Sequence, residues 1–222
     1  MVMIGDLMER HTFAMEIKEQ QVGDYRKRLG MIWQELTGFL DQNQISNFSI
    51  WSCGRLVFGY CKTEEKSSLW QEQQKKIQAL VKKMGDSFSW ISVPGKPMRL
   101  MYENIGSVRK NKELIRHRVF MTKLKSGCEE IYKARHDALM AEKNGKMEPG
   151  PDSNFTIWSA GGYIFGYDEI DTTMEKEETD EEKQASAAWE RRQLEIMEWI
   201  TNDVDGLTGE HHPPCVRLGW HQ

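Results

Sequence analysis

The sequence predicts an α+β protein built as two tandem copies of one small unit. Three observations carry that prediction: a repeat at constant offset, apolar residues at helical spacing, and short alternating runs closed by turn residues. Asn47-Phe48-Ser49-Ile50-Trp51-Ser52 returns as Asn154-Phe155-Thr156-Ile157-Trp158-Ser159, and Phe58-Gly59-Tyr60 returns as Phe165-Gly166-Tyr167. Both pairs are separated by 107 positions (154 − 47 and 165 − 58). The same shift relates Phe13 to Phe120, Tyr25 to Tyr132 and Arg28 to Arg135. A repeat of this length means one supersecondary unit used twice. Apolar patterning lapses from Gly106 to Glu113, which sets the first repeat at residues 1–106 and the second at 107–222.

Each copy reads as strand, helix, hairpin, helix, strand. The first strand lies near Thr12 to Lys18 and recurs at Arg118 to Lys125. Val22, Tyr25, Leu29, Ile32, Leu36 and Phe39 follow at helical spacing and mark a packed face. In the second copy Ser126 and Glu129 have capping-box spacing and Asn144-Gly145 offers a stop, so the helix is expected over Gly127 to Lys143. The hairpin pairs Asn47–Trp51 with Leu56–Lys62, and Gly161-Gly162 sits in the matching turn. A second helix is expected to carry Leu69, Ile77, Leu80, Val81 and Met84, then Trp189, Ile196, Met197 and Ile200. Met98-Arg99-Leu100 and Val216-Arg217-Leu218 read as the closing strands, related by 118 (217 − 99). That slip calls for an insertion of about eleven residues, placed at the acidic run Glu175 to Glu182 as a solvated loop.

The order βαββαβ is the ferredoxin-like arrangement, in which two helices cover one face of a four-stranded antiparallel sheet. Its second face needs a partner, and a tandem copy can supply it. The expectation is therefore an intramolecular dimeric α+β barrel, a monomer that is its own pseudo-dimer.

Composition narrows the function classes. The chain has 222 residues, room for two domains, and 39% apolar and 29% charged residues, as ordinary globular proteins do. No run approaches the roughly 20 apolar residues of a membrane span. A net charge of -4 with dispersed basic residues gives no nucleic-acid footprint. Met1 to Arg10 carries Asp6 and Glu9 without a sustained apolar core, so the cytoplasm is the expected compartment. Cys53, Cys61, Cys128 and Cys215 lack close ligand spacing and read as thiols. His211, His212 and Cys215 flank Pro213-Pro214, which reads as a solvated loop, so no metal is expected.

Tyr132 and His136 are four apart on the expected helix and share a face. Their counterparts Tyr25 and Leu29 lie on the apolar stripe, which turns His136 toward the sheet. A lone inward histidine is more often a satisfied core group than a catalyst, so the pair alone does not decide between the two. Tyr132-Lys133-Ala134-Arg135-His136, followed by Asn154-Phe155-Thr156-Ile157-Trp158, resembles the Tyr-x-x-Arg-His helix and Asn-Tyr-x-Ile hairpin of the L-rhamnose mutarotase family. Tyr25-Arg26-Lys27-Arg28 and Ile32-Trp33-Gln34-Glu35-Leu36 resemble the same helix and its continuation.

The resemblance implies a cofactor-free enzyme that interconverts the α and β anomers of L-rhamnose or a related deoxy sugar. It implies His136 as the catalytic acid/base, Tyr132 as its companion, and Phe155 where the family has a sugar-contacting tyrosine. The departures are Leu29 at the histidine's place in the first copy, and Leu80-Val81 and Ile196-Met197 near the family's Trp-Trp pair. Trp199 is the candidate to replace that pair, with a core tryptophan as its alternative. Arg135 has an Arg28 counterpart in the copy without histidine and reads as structural. Two other readings stay open: a non-catalytic sugar-binding or protein-interaction module, and, by fold analogy alone, a small oxygenase or haem-handling protein.

Overall fold

A computed structural model describes residues 8–64, 70–109, 111–142, 150–201 and 213–222, excepting the side chains of 70–74. It contains two compact units, Met1–Met98 with Val216–Gln222, and Arg99–Cys215. The first holds β1 (Met8–Ile17), α1 (Val22–Gln42), β2 (Ser46–Cys53), β3 (Leu56–Glu64), α2 (Trp70–Lys83) and β4 (Phe88–Trp90). The second holds β5 (Arg99–Gly106), β6 (Ile115–Leu124), α3 (Glu129–Glu142), β7 (Asp152–Ala160), β8 (Tyr163–Asp171), α4 (Asp180–Leu194) and β9 (Met197–Thr201). β10 (Val216–His221) joins the first unit.

Each unit is a ferredoxin-like α+β fold with one added edge strand. The sheets run β10-β2-β3-β1-β4 and β5-β7-β8-β6-β9, and the strand pairs are antiparallel. The closing strands differ from the sequence reading. The strand that completes each ferredoxin-like order is the short β4 or β9, while the stretches around Arg99 and Arg217 are the extra edges. β5, from the end of the first repeat, pairs with β7 of the second, and β10 pairs with β2 of the first. Periodicity cannot reveal such an exchange, because an edge strand has the same alternation whichever sheet it joins.

The second helix of copy two also differs. It ends at Leu194, so Met197, Trp199 and Ile200 belong to β9, and Ile196 lies in the intervening turn. Its start lies inside the acidic run expected to be a loop. Thr179 accepts from the Glu182 amide while Glu182 caps the Thr179 amide, and Asp180, Glu181 and Glu182 fill the first turn. Those carboxylates complement the exposed amides and positive end of the helix. The expected Ser126 box does not sit at a helix start: Tyr132 N–H bonds Cys128 C=O, and Glu129 instead accepts from the Ser159 hydroxyl. Asn144-Gly145, Leu69, His211 and His212 lie outside the described residues.

Strand pairing relocates the insertion. Met15 faces Trp90 and Thr122 faces Trp199, an offset of 109 (199 − 90). Arg99 faces Ser159 and Val216 faces Ser52, an offset of 117 (216 − 99). Two extra residues thus precede β9 and eight more fall between β9 and β10, so the acidic run is not the insertion.

The repeated motifs have packing causes. The Phe13 ring lies where a Cβ on Gly59 would stand, 2.0 Å away, and Phe120 does the same at Gly166, 2.1 Å away. Only glycine leaves room for the ring. Asn47 and Asn154 both have φ of 52°, in the left-handed region that asparagine tolerates better than most residues. Each sits at a bulge, between Ser46 and Ser49 or between Ser153 and Thr156. The bulge re-aims the next residue, Phe48 or Phe155, onto the helix-covered face, where both pack. Among the described residues no helix is long and apolar enough to cross a membrane.

Gly166→Ala is expected to cost about 1–3 kcal/mol through overpacking against Phe120. Gly30→Ala, at a site in α1 with open space around it, is expected to stabilise by about 0.5–1 kcal/mol. Urea unfolding of both variants checks the pair of signs.

Candidate active site

α3 brings Tyr132 and His136 to its buried face, at 3% and 4% exposure. The rings stack with centroids 4.3 Å apart. His136 Nδ1 lies 3.0 Å from the Tyr132 carbonyl oxygen. A carbonyl can only accept, so Nδ1 carries the proton and Nε2 presents a lone pair. Burial lowers the His136 pKa, with the Tyr132 carbonyl and Asp137 acting the other way and Lys133 adding to the lowering. The ring is therefore neutral at neutral pH. Burial raises the Tyr132 phenol, which keeps it protonated. Among the described residues, neither Nε2 of His136 nor the Tyr132 hydroxyl has a hydrogen-bond partner.

Two aromatic residues that the sequence reading left out of the site meet the imidazole. Tyr102, on the exchanged strand β5, lies 5.5 Å from His136, and Trp189 of α4 stands edge-on to it at 5.2 Å. Tyr102 also touches Phe155, centroids 5.2 Å apart, so Phe155 reaches the histidine through one intervening ring. Trp189 was legible only as one member of an apolar helix face. Tyr102 carried no signal, since it stands in the other repeat.

Trp199 lies apart from this group. Its indole N–H donates to Glu190 at 2.9 Å and its ring packs on Phe120 at 5.9 Å. Trp90, its counterpart by strand pairing, packs on Phe13 at 6.2 Å in the unit without a histidine. Arg135 is an anchor. It bonds the Arg192 carbonyl and Glu195, as Arg28 bonds Asp24 and the Lys83 carbonyl.

The first unit shows the same frame filled differently. Leu29 replaces His136 and belongs to the apolar core. Pairing makes Gly219 the counterpart of Tyr102, since they face Ile50 and Ile157 respectively. The Trp33 ring occupies the space there, 2.2 Å from where a Gly219 Cβ would stand, and packs against Phe48. Leu80 stands at the place of Trp189 under the 109-residue offset (189 − 80).

Asp168 adds a titratable group to the helix-covered face of the second sheet. It is 2% exposed, and burial followed by the neighbouring Asp152 raises its pKa to about 8 against the pull of Arg118. The sequence signal was faint: Asp168 and Glu169 lie inside a strand whose counterpart in the first copy is Cys61-Lys62.

The fold and the helix-borne pair define a class, ferredoxin-like α+β proteins with a buried Tyr/His pair on the first helix of the unit. Residues 10–99 and again 117–214 match the L-rhamnose mutarotase family, and the chain belongs to that family. A stretch of 59 residues is 36% identical to the L-rhamnose mutarotase of Bacteroides thetaiotaomicron, covering 26% of this chain and 57% of that protein. The chain thus spans little more than half the length of that relative. No solved structure matches. The first family match stops at residue 99, so Tyr102 lies beyond it.

The raised pKa of Asp168 has a stability consequence with a definite sign. Its folded-state value lies above the unfolded one, so its contribution is complete below about pH 4 and is lost as pH rises toward 8. Asp168→Asn cannot ionise. The wild-type melting temperature, measured against that variant by calorimetry at pH 5, 6.5 and 8, is expected to fall progressively over this range.

Proposed function

We propose that the second repeat catalyses exchange between the α and β anomers of L-rhamnose or a related deoxy sugar by acid/base ring opening. The reading is supported above all by one arrangement: an inward His136 whose Nδ1–H is held by the Tyr132 carbonyl, leaving Nε2 without a partner among the described residues. Anomer exchange removes the proton of the anomeric hydroxyl and delivers one to the ring oxygen. The ring opens, the aldehyde turns its other face, and the reverse transfers close it. A neutral imidazole can take the first proton and return it, a role typically worth 10²- to 10⁴-fold. Tyr132, kept protonated by burial, orients a sugar hydroxyl rather than moving its own proton.

Phe155 is half-buried and offers a ring face for sugar C–H surface. The facing aromatic wall is better drawn with Trp189 than with Trp199, because Trp189 touches the imidazole whereas Trp199 repeats the packing of Trp90. No step of this reaction calls for a metal or organic cofactor. The first repeat, with Leu29 and Trp33 in the corresponding places, acts as scaffold, the protein working as a monomeric pseudo-dimer in the cytoplasm.

Anomer-exchange NMR on L-rhamnose, L-fucose and related sugars tests the reading. Exchange above the buffer rate is expected for the wild type and for Leu29→Ala, with a 10²- to 10⁴-fold loss in His136→Ala. Wild-type protein that accelerates no sugar, or a His136→Ala variant as fast as wild type, leaves a non-catalytic binding module instead.

A further inference from the structure

The site so far supplies one proton carrier, and ring opening requires two. The duplicated chain helps to find the second, because the two units share a backbone frame and differ in what fills it. On the helix-covered face of the first sheet, Cys61 lies within the apolar core. The corresponding residue of the second sheet, 107 positions on, is Asp168 (168 − 107 = 61). A carboxyl group has been put where a small apolar side chain completes the packing elsewhere in the same protein. Burying a carboxylate costs several kcal/mol unless it is paired or protonated, so a core position is a poor place for one without a task.

Its surroundings satisfy the carboxyl only in part. Asp168 is 2% exposed, and although its carboxyl meets the Asp152 side chain and the Glu169 backbone, its Oδ1 is fully buried with no hydrogen-bond partner among the described residues. The β7 bulge sets Asn154 and Phe155 together opposite Asp168, since Ser153 pairs with Glu169 and Thr156 with Tyr167. Phe155 is the proposed sugar-facing ring, and it touches Tyr102, which touches His136. The Tyr102 phenol senses Asp152 and Asp168 and accepts a hydrogen bond from Asn104. The titratable and charged groups around Asp168 are thus Asp152 on β7, Arg118 opposite it on β6, and Tyr102 on β5.

We infer that Asp168 is the second proton carrier of the proposed mutarotase site, giving its proton to the ring oxygen while His136 Nε2 takes the proton of the anomeric hydroxyl. The inference rests on the reading of the second repeat as a mutarotase. As the bond from C1 to the ring oxygen breaks, the electrons of the anomeric O–H bond form the C1 carbonyl, the ring oxygen becomes a hydroxyl, and Asp168 becomes a carboxylate. Closure onto the other face reverses each transfer: the hydroxyl proton returns to Asp168, and the imidazolium proton goes to the carbonyl oxygen. Atoms and charge balance without a co-reactant. The environments match the roles, with burial holding the imidazole neutral and ready to accept, and the carboxyl protonated and ready to donate up to about pH 8. Arg118, which also lies over the Phe120 ring at 5.4 Å, tempers the carboxylate when it forms.

The test is anomer-exchange NMR on L-rhamnose from pH 5 to 9.5 with wild type, Asp168→Asn and His136→Ala. The expected wild-type profile loses activity on the alkaline side near pH 8. Asp168→Asn, nearly isosteric, is expected to fold, to lose 10²- to 10⁴-fold at pH 7, and to leave a residual rate without that alkaline limb. A purely structural role would not remove the limb. If Asp168→Asn exchanges within twofold of wild type while His136→Ala is inactive, this inference is overturned and the mutarotase reading stands. A wild type that accelerates no sugar overturns both. Should Asp168→Asn fail to fold, the wild-type profile decides, and activity constant from pH 7 to 9.5 rejects Asp168 as the acid.

Discussion

The hydrogen bond from His136 Nδ1 to the Tyr132 carbonyl is the constraint on which the rest of the site depends. A buried imidazole must satisfy at least one nitrogen, and this one does so on its own helix, one turn back. The bond fixes the tautomer and the ring plane together, and it leaves the other nitrogen directed away from the helix backbone. The role proposed for Nε2 follows from that single local choice. Leucine at the same place in the first unit makes no such demand, and there the helix simply packs.

Duplication turns this protein into its own control. The two units agree in the features that hold the frame: the glycine beneath a phenylalanine ring, the left-handed asparagine at the bulge, and the arginine that ties the first helix to the end of the second. They diverge where the helices meet the sheet. Leu29, Leu80, Cys61 and Gly219 with Trp33 close the first interior, whereas His136, Trp189, Asp168 and Tyr102 make the second one polar and aromatic. Shared residues thus hold the frame, and the divergent ones are those to which the proposed chemistry is assigned. His136 and Asp168 are buried in one unit while its twin has Leu29 and Cys61 in their places, which argues that the fold does not need them.

The exchanged edge strands add a dependence between the repeats. Tyr102 reaches His136 from a strand encoded at the end of the first repeat, so the second repeat alone would lack a wall of its own site. Arg99, at the start of that strand, also bonds Glu130 in the first turn of α3, tying the helix that bears the histidine to the borrowed strand. These exposed ion pairs contribute little energy. Their effect is positional.

The duplication, the ferredoxin-like element order, the inward direction of His136 and the place of Leu29 on an apolar face were legible in the amino-acid sequence. All of these follow from local periodicity and from comparing two copies at a fixed offset. Tertiary structure alone decided which sheet each closing strand joins, that the acidic run begins a capped helix, that Trp189 rather than Trp199 meets the imidazole, and that Asp168 is buried opposite Phe155. Those facts depend on pairing across long separations. Alternation along a strand records which face a residue takes but not which neighbour it meets, and a helix boundary set by one cap shifts every assignment after it.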